Sequence, residues 1–162
     1  SGPLGSGLSQ AVGMALADKI DCKDKDRFIY CFMSDGEMDE GNTWEAAMLA
    51  GKHKLRNLIA IVDRNNIQIE GYTEDVMPLE PFHSKWKSFN WHVIEVSGHD
   101  FRSLNEVVEE AQAIYEKPTV IIAHTIPGKG VKEFERNYKW HGKAPNKEEG
   151  EMALKELRNL RF

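Results

Sequence analysis

Two buried strands with one helix between them, each strand followed by polar turn residues, constrain this chain more than any other feature. Apolar residues fill positions 28–33 and 58–62, and the amphipathic segment 43–54 between them predicts a helix. The turn Asp35-Gly36 follows the first run, and Asn65 follows the second. The pattern indicates a β-α-β unit, which places oxygen-bearing side chains at the ends of two adjacent strands.

The remaining sequence continues the alternation of strands and helices. Residues 9–19 and 82–89 are predicted helices, and residues 92–96 and 119–124 are predicted strands. A further helix is expected to run to residue 115, with Asp100 or Ser103 as its cap. The run 28–33 is too continuously apolar for an edge strand, so we expect it to be buried on both faces. Asn42 or Thr43 is expected to cap the helix at 43–54.

Such alternation predicts a three-layer α/β/α fold with a mainly parallel sheet and right-handed crossovers. Ligands in these sheets bind at the carboxyl ends of the strands. Four residues are predicted to lie at that edge, namely Asp35, Asn65, Gly98 and Thr125.

Length and composition fit one domain over residues 1–162, in which residues 148–162 form a carboxyl-terminal helix. A net charge of −5 without a basic cluster argues against nucleic acid as a partner. Cys22, in the charged loop 21–26, and Cys31 lack metal-site spacing, which favours a reduced, cytoplasmic protein. No signal peptide and no apolar run of about 20 residues is visible, so no membrane association is expected.

The oxygen atoms at the two strand ends suit a hard divalent cation that holds a phosphate group. Asp35 offers a carboxylate, Asn65 an amide oxygen, and a backbone carbonyl near Ile67 a third ligand for Mg²⁺. Gly36 has no Cβ and lets the backbone approach an anion. The alternative is that Asp-Gly and Asn-Asn are turn formers that bind nothing. Their joint occurrence at this spacing favours a site.

Four segments, 34–41 (SDGEMDEG), 44–47 (WEAA), 55–60 (LRNLIA) and 63–71 (DRNNIQIEG), together resemble the thiamine diphosphate motif of transketolases. The resemblance extends upstream to residues 1–7 and downstream to Trp91-His92-Val93, Gly98-His99-Asp100 and His141-Gly142, and so covers nearly the whole chain. It implies the α/β fold of thiamine diphosphate-binding domains.

The resemblance also implies roles for individual residues. Asp35, Asn65 and the Ile67 carbonyl would ligate Mg²⁺ or Ca²⁺, which grips the diphosphate of the cofactor. His141 would reach the diphosphate and the reaction centre. Other expected cofactor contacts are Gly2, Leu4, Gly36, Glu37 and Ile69.

Two glutamates, Glu40 and Glu45, match family residues that lie near the subunit interface and link two cofactor sites through hydrogen bonds. Such carboxylates would act with His141 as catalytic groups and share protons as a set. The ordinary alternative makes Glu40 a loop acid and Glu45 a favourable charge in the first turn of a helix.

By the same resemblance, the chain is expected to be the amino-terminal subunit of a split transketolase that transfers a two-carbon ketol unit between ketose and aldose phosphates. An upstream segment and the pyrimidine-binding domain, with its activating glutamate, are not found in residues 1–162. The expected partner is a carboxyl-terminal subunit, in a homo- or hetero-oligomer. The alternatives are a cofactor-binding or assembly subunit inactive alone, 1-deoxyxylulose-5-phosphate synthase, and the dehydrogenase component of 2-oxoacid complexes.

Overall fold

The computed structural model describes residues 2–21 and 27–159 and divides the chain into two compact units. The first unit spans Ser1–Arg64 and Leu79–Thr125, and the second spans Asn65–Pro78 and Ile126–Phe162. The predicted charged loop 21–26, including Cys22, lies outside the described residues except for Asp21, which ends a helix.

In chain order, the elements are α1 (Ser6–Asp21), β1 (Ile29–Ser34), α2 (Gly41–His53), β2 (Leu58–Arg64), β3 (Ile67–Gln68), β4 (Gly71–Tyr72), α3 (Thr73–Val76), α4 (Phe82–Ser88), β5 (His92–Ser97), α5 (Phe101–Gln112), β6 (Thr119–His124) and α6 (Lys147–Asn159). The four strands of the parallel sheet are separated by helical segments, as the periodicity of the sequence predicts, and the β3–β4 pair with α3 is inserted after β2.

The first unit contains a four-stranded sheet with the order β1-β2-β6-β5, in which every neighbouring pair is parallel. Helices α1, α2 and α4 contribute to a hydrophobic cluster with one face of the sheet, and α5 contributes to a second cluster with the other face. The prediction of a mainly parallel α/β/α fold is confirmed. Because helices pack on both faces of the sheet, its central strands need apolar side chains on both faces. This explains the continuous apolar runs of β2 and β6.

The prediction that residues 28–33 are buried on both faces is wrong. Among the strands that the structure describes, β1 stands at one edge of the sheet, and the side chain of Phe32 is 77% exposed. Cys31 and Met33 are buried in the cluster to which α1 contributes, whereas Tyr30 and Phe32 lie on the opposite face, where α5 is the packed helix among the described residues. The apolar content of a strand shows which side chains could be buried. The strands and helices packed beside it determine which of them are buried.

The helix caps agree with the sequence at one helix and differ at another. Of the two predicted caps, Asp100 and not Ser103 caps α5, because the Asp100 side chain accepts hydrogen bonds from the backbone N–H groups of Arg102 and Ser103. The prediction that Asn42 or Thr43 caps the second helix is wrong, because α2 already begins at Gly41. These two polar side chains bond instead to backbone carbonyls outside the helix.

An aromatic cluster fixes the contact between α2, α4 and the start of β5. The rings of Trp86 and Trp91 meet edge to face with centroids 4.9 Å apart, and Trp91 Nε1 donates to the Ala47 carbonyl at 2.8 Å. Gly51 permits this close packing, because a Cβ there would lie 1.8 Å from the carbonyl oxygen of Phe89. The glycine in α2 is therefore a packing requirement.

The second unit combines a short antiparallel pair with a terminal helix. Ile67 pairs with Tyr72 across β3 and β4, and the ring of Tyr72 meets that of Tyr138 edge to face at 5.4 Å. Helix α6 covers most of the tail in which the sequence predicts a helix over 148–162, and residues 160–162 lie outside the described part.

We expect Gly51→Ala to destabilise the first unit by about 1–3 kcal/mol, because the new methyl group would overpack the contact with Phe89. Gly13→Ala is the matched control. Gly13 also lies within a helix but has open space at its Cβ position, so alanine should stabilise the protein by up to about 1 kcal/mol. Urea unfolding gives the free energy of unfolding of both variants. Equal effects of the two substitutions would contradict the packing argument.

Candidate functional site

Parallel pairing brings the carboxyl ends of the four strands of the first unit to one edge. Ser34 pairs with Asp63, and both Arg64 and Ser97 pair with His124. Backbone hydrogen bonds extend the alignment past the strands: Asp35 N–H donates to Asp63 O at 3.2 Å, and Gly98 N–H to His124 O at 2.8 Å. Predicted residues Asp35, Gly98 and Thr125 therefore lie at this edge, and Thr125 Oγ1 donates to the Asp63 carboxylate.

Asp35 is a fully buried carboxylate at the end of β1. Its Oδ1 accepts a hydrogen bond from Gly36 N–H at 2.8 Å, and its Oδ2 accepts one from Arg64 Nη1 at 3.2 Å. The side chains of Asp35 and Arg64 are 0% and 3% exposed, so the pair is an internal ion pair. A charge-assisted bond of this kind holds the carboxylate in one orientation.

Glu37 ties the first residues of the chain to the Asp35 loop. Its Oε1 accepts from Gly5 N–H at 2.9 Å, and its Oε2 accepts from Ser34 N–H at 3.3 Å. Asn42 Nδ2 donates to the Gly5 carbonyl, so both backbone groups of Gly5 are bonded. Gly5 has φ +75°, and a Cβ there would lie 2.7 Å from Glu40 Cβ, so only glycine fits this turn.

The other predicted residues of the first unit are exposed. Leu4 is 55% exposed, and Gly2, Glu40 and Glu45 also lie at the surface of this chain. His124 Nε2 lies within hydrogen-bond distance of Glu95 Oε2, at 2.8 Å.

The second unit holds a cavity of about 290 Å³ that brings three predicted residues together. Asn65, Ile67 and His141 all line it, along with Trp140 and Lys143. Asn65 Oδ1 accepts from Ile67 N–H at 3.0 Å, which closes a tight turn at the start of β3. Lys143 Nζ lies 4.0 Å from the centroid of the Trp140 ring and also forms an ion pair with Glu149 at 2.6 Å, so its charge is partly balanced. Ile69 does not line the cavity and is 69% exposed.

Sequence reasoning missed two functional candidates, Arg64 and Lys143. Arg64 precedes Asn65 directly and could have been noticed as the basic residue within an otherwise acidic and amide-rich segment. Lys143 stands two residues after His141, where no periodicity marks it. Within the described residues, no three His, Cys, Asp or Glu side chains cluster as a metal site, and no helix there is long and apolar enough to cross a membrane.

Together, a parallel sheet, a glycine turn beside a buried carboxylate, and polar groups at the carboxyl ends of its strands define an α/β cofactor-binding domain. Residues 1–159 match the family described as the transketolase, thiamine diphosphate binding domain. The chain belongs to this family, and the resemblance noted in the sequence is confirmed.

Relatives of known name and solved structures agree with this assignment. The chain is 43% identical to the 6-deoxy-6-sulfo-D-fructose transketolase subunit SqwG of Clostridium sp. (strain MSTE9), over 97% of this chain and 56% of that subunit. It is 42% identical to one subunit of the apulose-4-phosphate transketolase of Phocaeicola vulgatus, over 97% and 55%. The transketolase structure from Campylobacter jejuni superimposes with a TM-score of 0.88 at 36% identity, over 98% of this chain and 26% of that one.

The chain thus spans about half the length of the subunits that it matches, and about a quarter of the longer transketolases.

We expect Glu37→Ala to destabilise the protein by about 1–3 kcal/mol, because the partly buried N–H groups of Gly5 and Ser34 lose their acceptor. Glu37→Gln keeps an oxygen acceptor and should destabilise the protein less than Glu37→Ala does. Urea unfolding gives the free energies, and hydrogen exchange of the two amides reports the local effect. Unchanged exchange at Gly5 in the alanine variant would contradict this role of Glu37.

Proposed function

We propose that this chain is the diphosphate- and metal-binding half of a transketolase, which transfers a two-carbon ketol unit between ketose and aldose phosphates. The observation that carries the proposal is the buried carboxylate of Asp35 beside the Gly36 turn, at the carboxyl end of a parallel strand. Membership of the thiamine diphosphate-binding family supports it independently.

The donor set fits a hard cation. We propose that Asp35, Asn65 and the Ile67 carbonyl hold Mg²⁺ or Ca²⁺, since a carboxylate, an amide oxygen and a backbone carbonyl are the ligands that these ions prefer. Asp35 is held in orientation by Gly36 and Arg64, and Asn65 by its bond to Ile67 N–H. Ligands that are oriented before binding lose little freedom when a metal arrives.

Thiamine diphosphate, when bound, supplies the carbon nucleophile that attacks the ketose carbonyl. This chain would bind the diphosphate through backbone groups near Gly36, with Glu37, Gly2, Leu4 and Ile69 as further contacts. His141, in the wall of the cavity, would donate a hydrogen bond to diphosphate or substrate oxygens. The exposed carboxylates of Glu40 and Glu45 would face a partner chain and share protons across the interface with it.

We propose that a carboxyl-terminal subunit with the pyrimidine-binding domain completes the enzyme, in a homo- or hetero-oligomer. The names of two relatives as transketolase subunits support a partner. Those names refer to two different sugars, 6-deoxy-6-sulfo-D-fructose and apulose 4-phosphate.

Cytoplasmic action fits Cys31, a free thiol whose pKa burial raises to about 11, so that it is neutral and unreactive.

The second candidate is a cofactor-binding or assembly subunit that is inactive alone. It shares every contact described for Asp35 and Asn65, and differs only in the absence of turnover with a partner.

We expect Asp35→Asn to weaken thiamine diphosphate binding in the presence of Mg²⁺ by at least about tenfold, because an amide is a poorer ligand than a carboxylate. Isothermal titration calorimetry with and without Mg²⁺ measures this. Asp18→Ala, which removes a carboxylate paired with the exposed Arg27, is the control and should leave binding unchanged. Unchanged affinity in Asp35→Asn would remove Asp35 from the site.

Reconstitution tests the reaction. With a carboxyl-terminal partner, thiamine diphosphate and Mg²⁺, we expect transfer from xylulose 5-phosphate, 6-deoxy-6-sulfo-D-fructose or apulose 4-phosphate to an aldose phosphate acceptor, and no transfer by the chain alone. Mass spectrometry of the sugar products identifies the donor. Intact cofactor binding without turnover, with any partner and donor, would leave cofactor binding or assembly as the function.

A further inference from the structure

Arg64 is a buried cation at the end of β2 and stands directly before Asn65 in the chain. Its Nη1 donates to Asp35 Oδ2 at 3.2 Å, and its Nη2 donates to Glu80 Oε1 at 3.1 Å. Its guanidinium carbon lies 5.3 Å from the centroid of the Phe82 ring. Two acids and one aromatic face therefore hold Arg64 in position.

The two acids bonded to Arg64 differ in their access to water. The Asp35 side chain is 0% exposed, whereas that of Glu80 is 59% exposed and its Oε2 also accepts from Phe82 N–H at 2.8 Å. Solvent can stabilise the charge of Glu80 but not that of Asp35. Burying a carboxylate costs free energy that a bonded cation offsets, and the buried Arg64 guanidinium, 3.2 Å from Asp35 Oδ2, supplies such a charge.

We propose that Arg64 is the internal counter-ion of Asp35 in the metal-free protein, and that it sets metal affinity by competing with the cation for this carboxylate. The inference rests on the proposed function, in which Asp35 is a metal ligand. A divalent cation at Asp35 brings a like charge close to Arg64, which opposes binding. Glu80 then remains as a counter-charge of Arg64 and lowers this opposition.

A purely structural arginine would stabilise the metal-free and metal-bound protein equally. An arginine that acts as a counter-ion stabilises the metal-free protein more than the metal-bound protein, because the bound cation then balances part of the Asp35 charge. By linkage, removing the counter-ion must then tighten metal binding. The direction of this change separates the two roles of Arg64.

The first test needs neither metal nor cofactor. Urea unfolding of the metal-free chain compares wild type, Arg64→Met, Asp35→Asn and the double variant. We expect Arg64→Met to lower the unfolding midpoint strongly when Asp35 is present, and by less than half as much when Asp35→Asn is already in place. Additive effects would show that the pair is not coupled and would overturn the proposal.

The second test is the Mg²⁺ titration of the chain at saturating thiamine diphosphate, followed by calorimetry. We expect Arg64→Met to bind Mg²⁺ about tenfold more tightly than wild type. Glu80→Gln should bind it about two- to fivefold more weakly, because Arg64 then loses the negative charge that offsets its repulsion of the cation. Arg102→Met, at an exposed ion pair with Glu106, changes the net charge equally and should leave the affinity unchanged.

The outcomes separate the proposal from the function on which it rests. Equal or weaker Mg²⁺ binding by Arg64→Met would overturn the competition between Arg64 and the cation. If Arg64→Met does not fold, the Glu80→Gln titration decides, and an unchanged or tighter affinity there is contrary to the proposal. If Asp35→Asn binds Mg²⁺ as wild type does, the proposed metal site fails, while the unfolding cycle still measures the ion pair.

Discussion

The parallel pairing of four strands is the constraint on which the functional residues of the first unit depend. Because every strand runs in the same direction, all the carboxyl ends meet at one edge, and the residues that follow them become neighbours. Asp35 and Arg64 are 29 positions apart in the chain but lie within hydrogen-bond distance, since β1 and β2 are paired in register. The sheet requires crossover helices on its faces, and these contribute to its two hydrophobic clusters.

Charge burial is the second organising condition. Asp35 is removed from water, and its charge is balanced by Arg64, whose own position depends on Glu80 and Phe82. Glu37 meanwhile uses both carboxylate oxygens to bond backbone N–H groups of two separate segments. Carboxylates near the end of β1 thus act in two ways, one as a candidate ligand and the other as a connector of loops.

Local pattern predicted the four strands of the parallel sheet and the helices α1, α2, α4, α5 and α6, because apolar periodicity and turn residues act over a few positions. It placed Asp35, Gly98 and Thr125 at strand ends and Asp100 at a helix cap for the same reason. It predicted neither the β3–β4 pair nor α3. It failed for β1, whose apolar run was expected to be buried on both faces although Phe32 is exposed. It also placed the start of α2 two residues late, because Asn42 and Thr43 bond to other segments.

The sequence by itself determined the order of the parallel strands and most helices, the family, and the residue types available for a metal and a diphosphate. The tertiary structure alone decided which of these residues meet: Asp35 with Arg64 in the first unit, and Asn65, Ile67 and His141 around one cavity in the second. The physical reason is that turn and strand preferences are local, whereas burial and ion pairing depend on chain segments brought together by strand pairing and packing. A carboxylate in an Asp-Gly turn becomes a buried charge only when a neighbouring strand supplies its counter-ion.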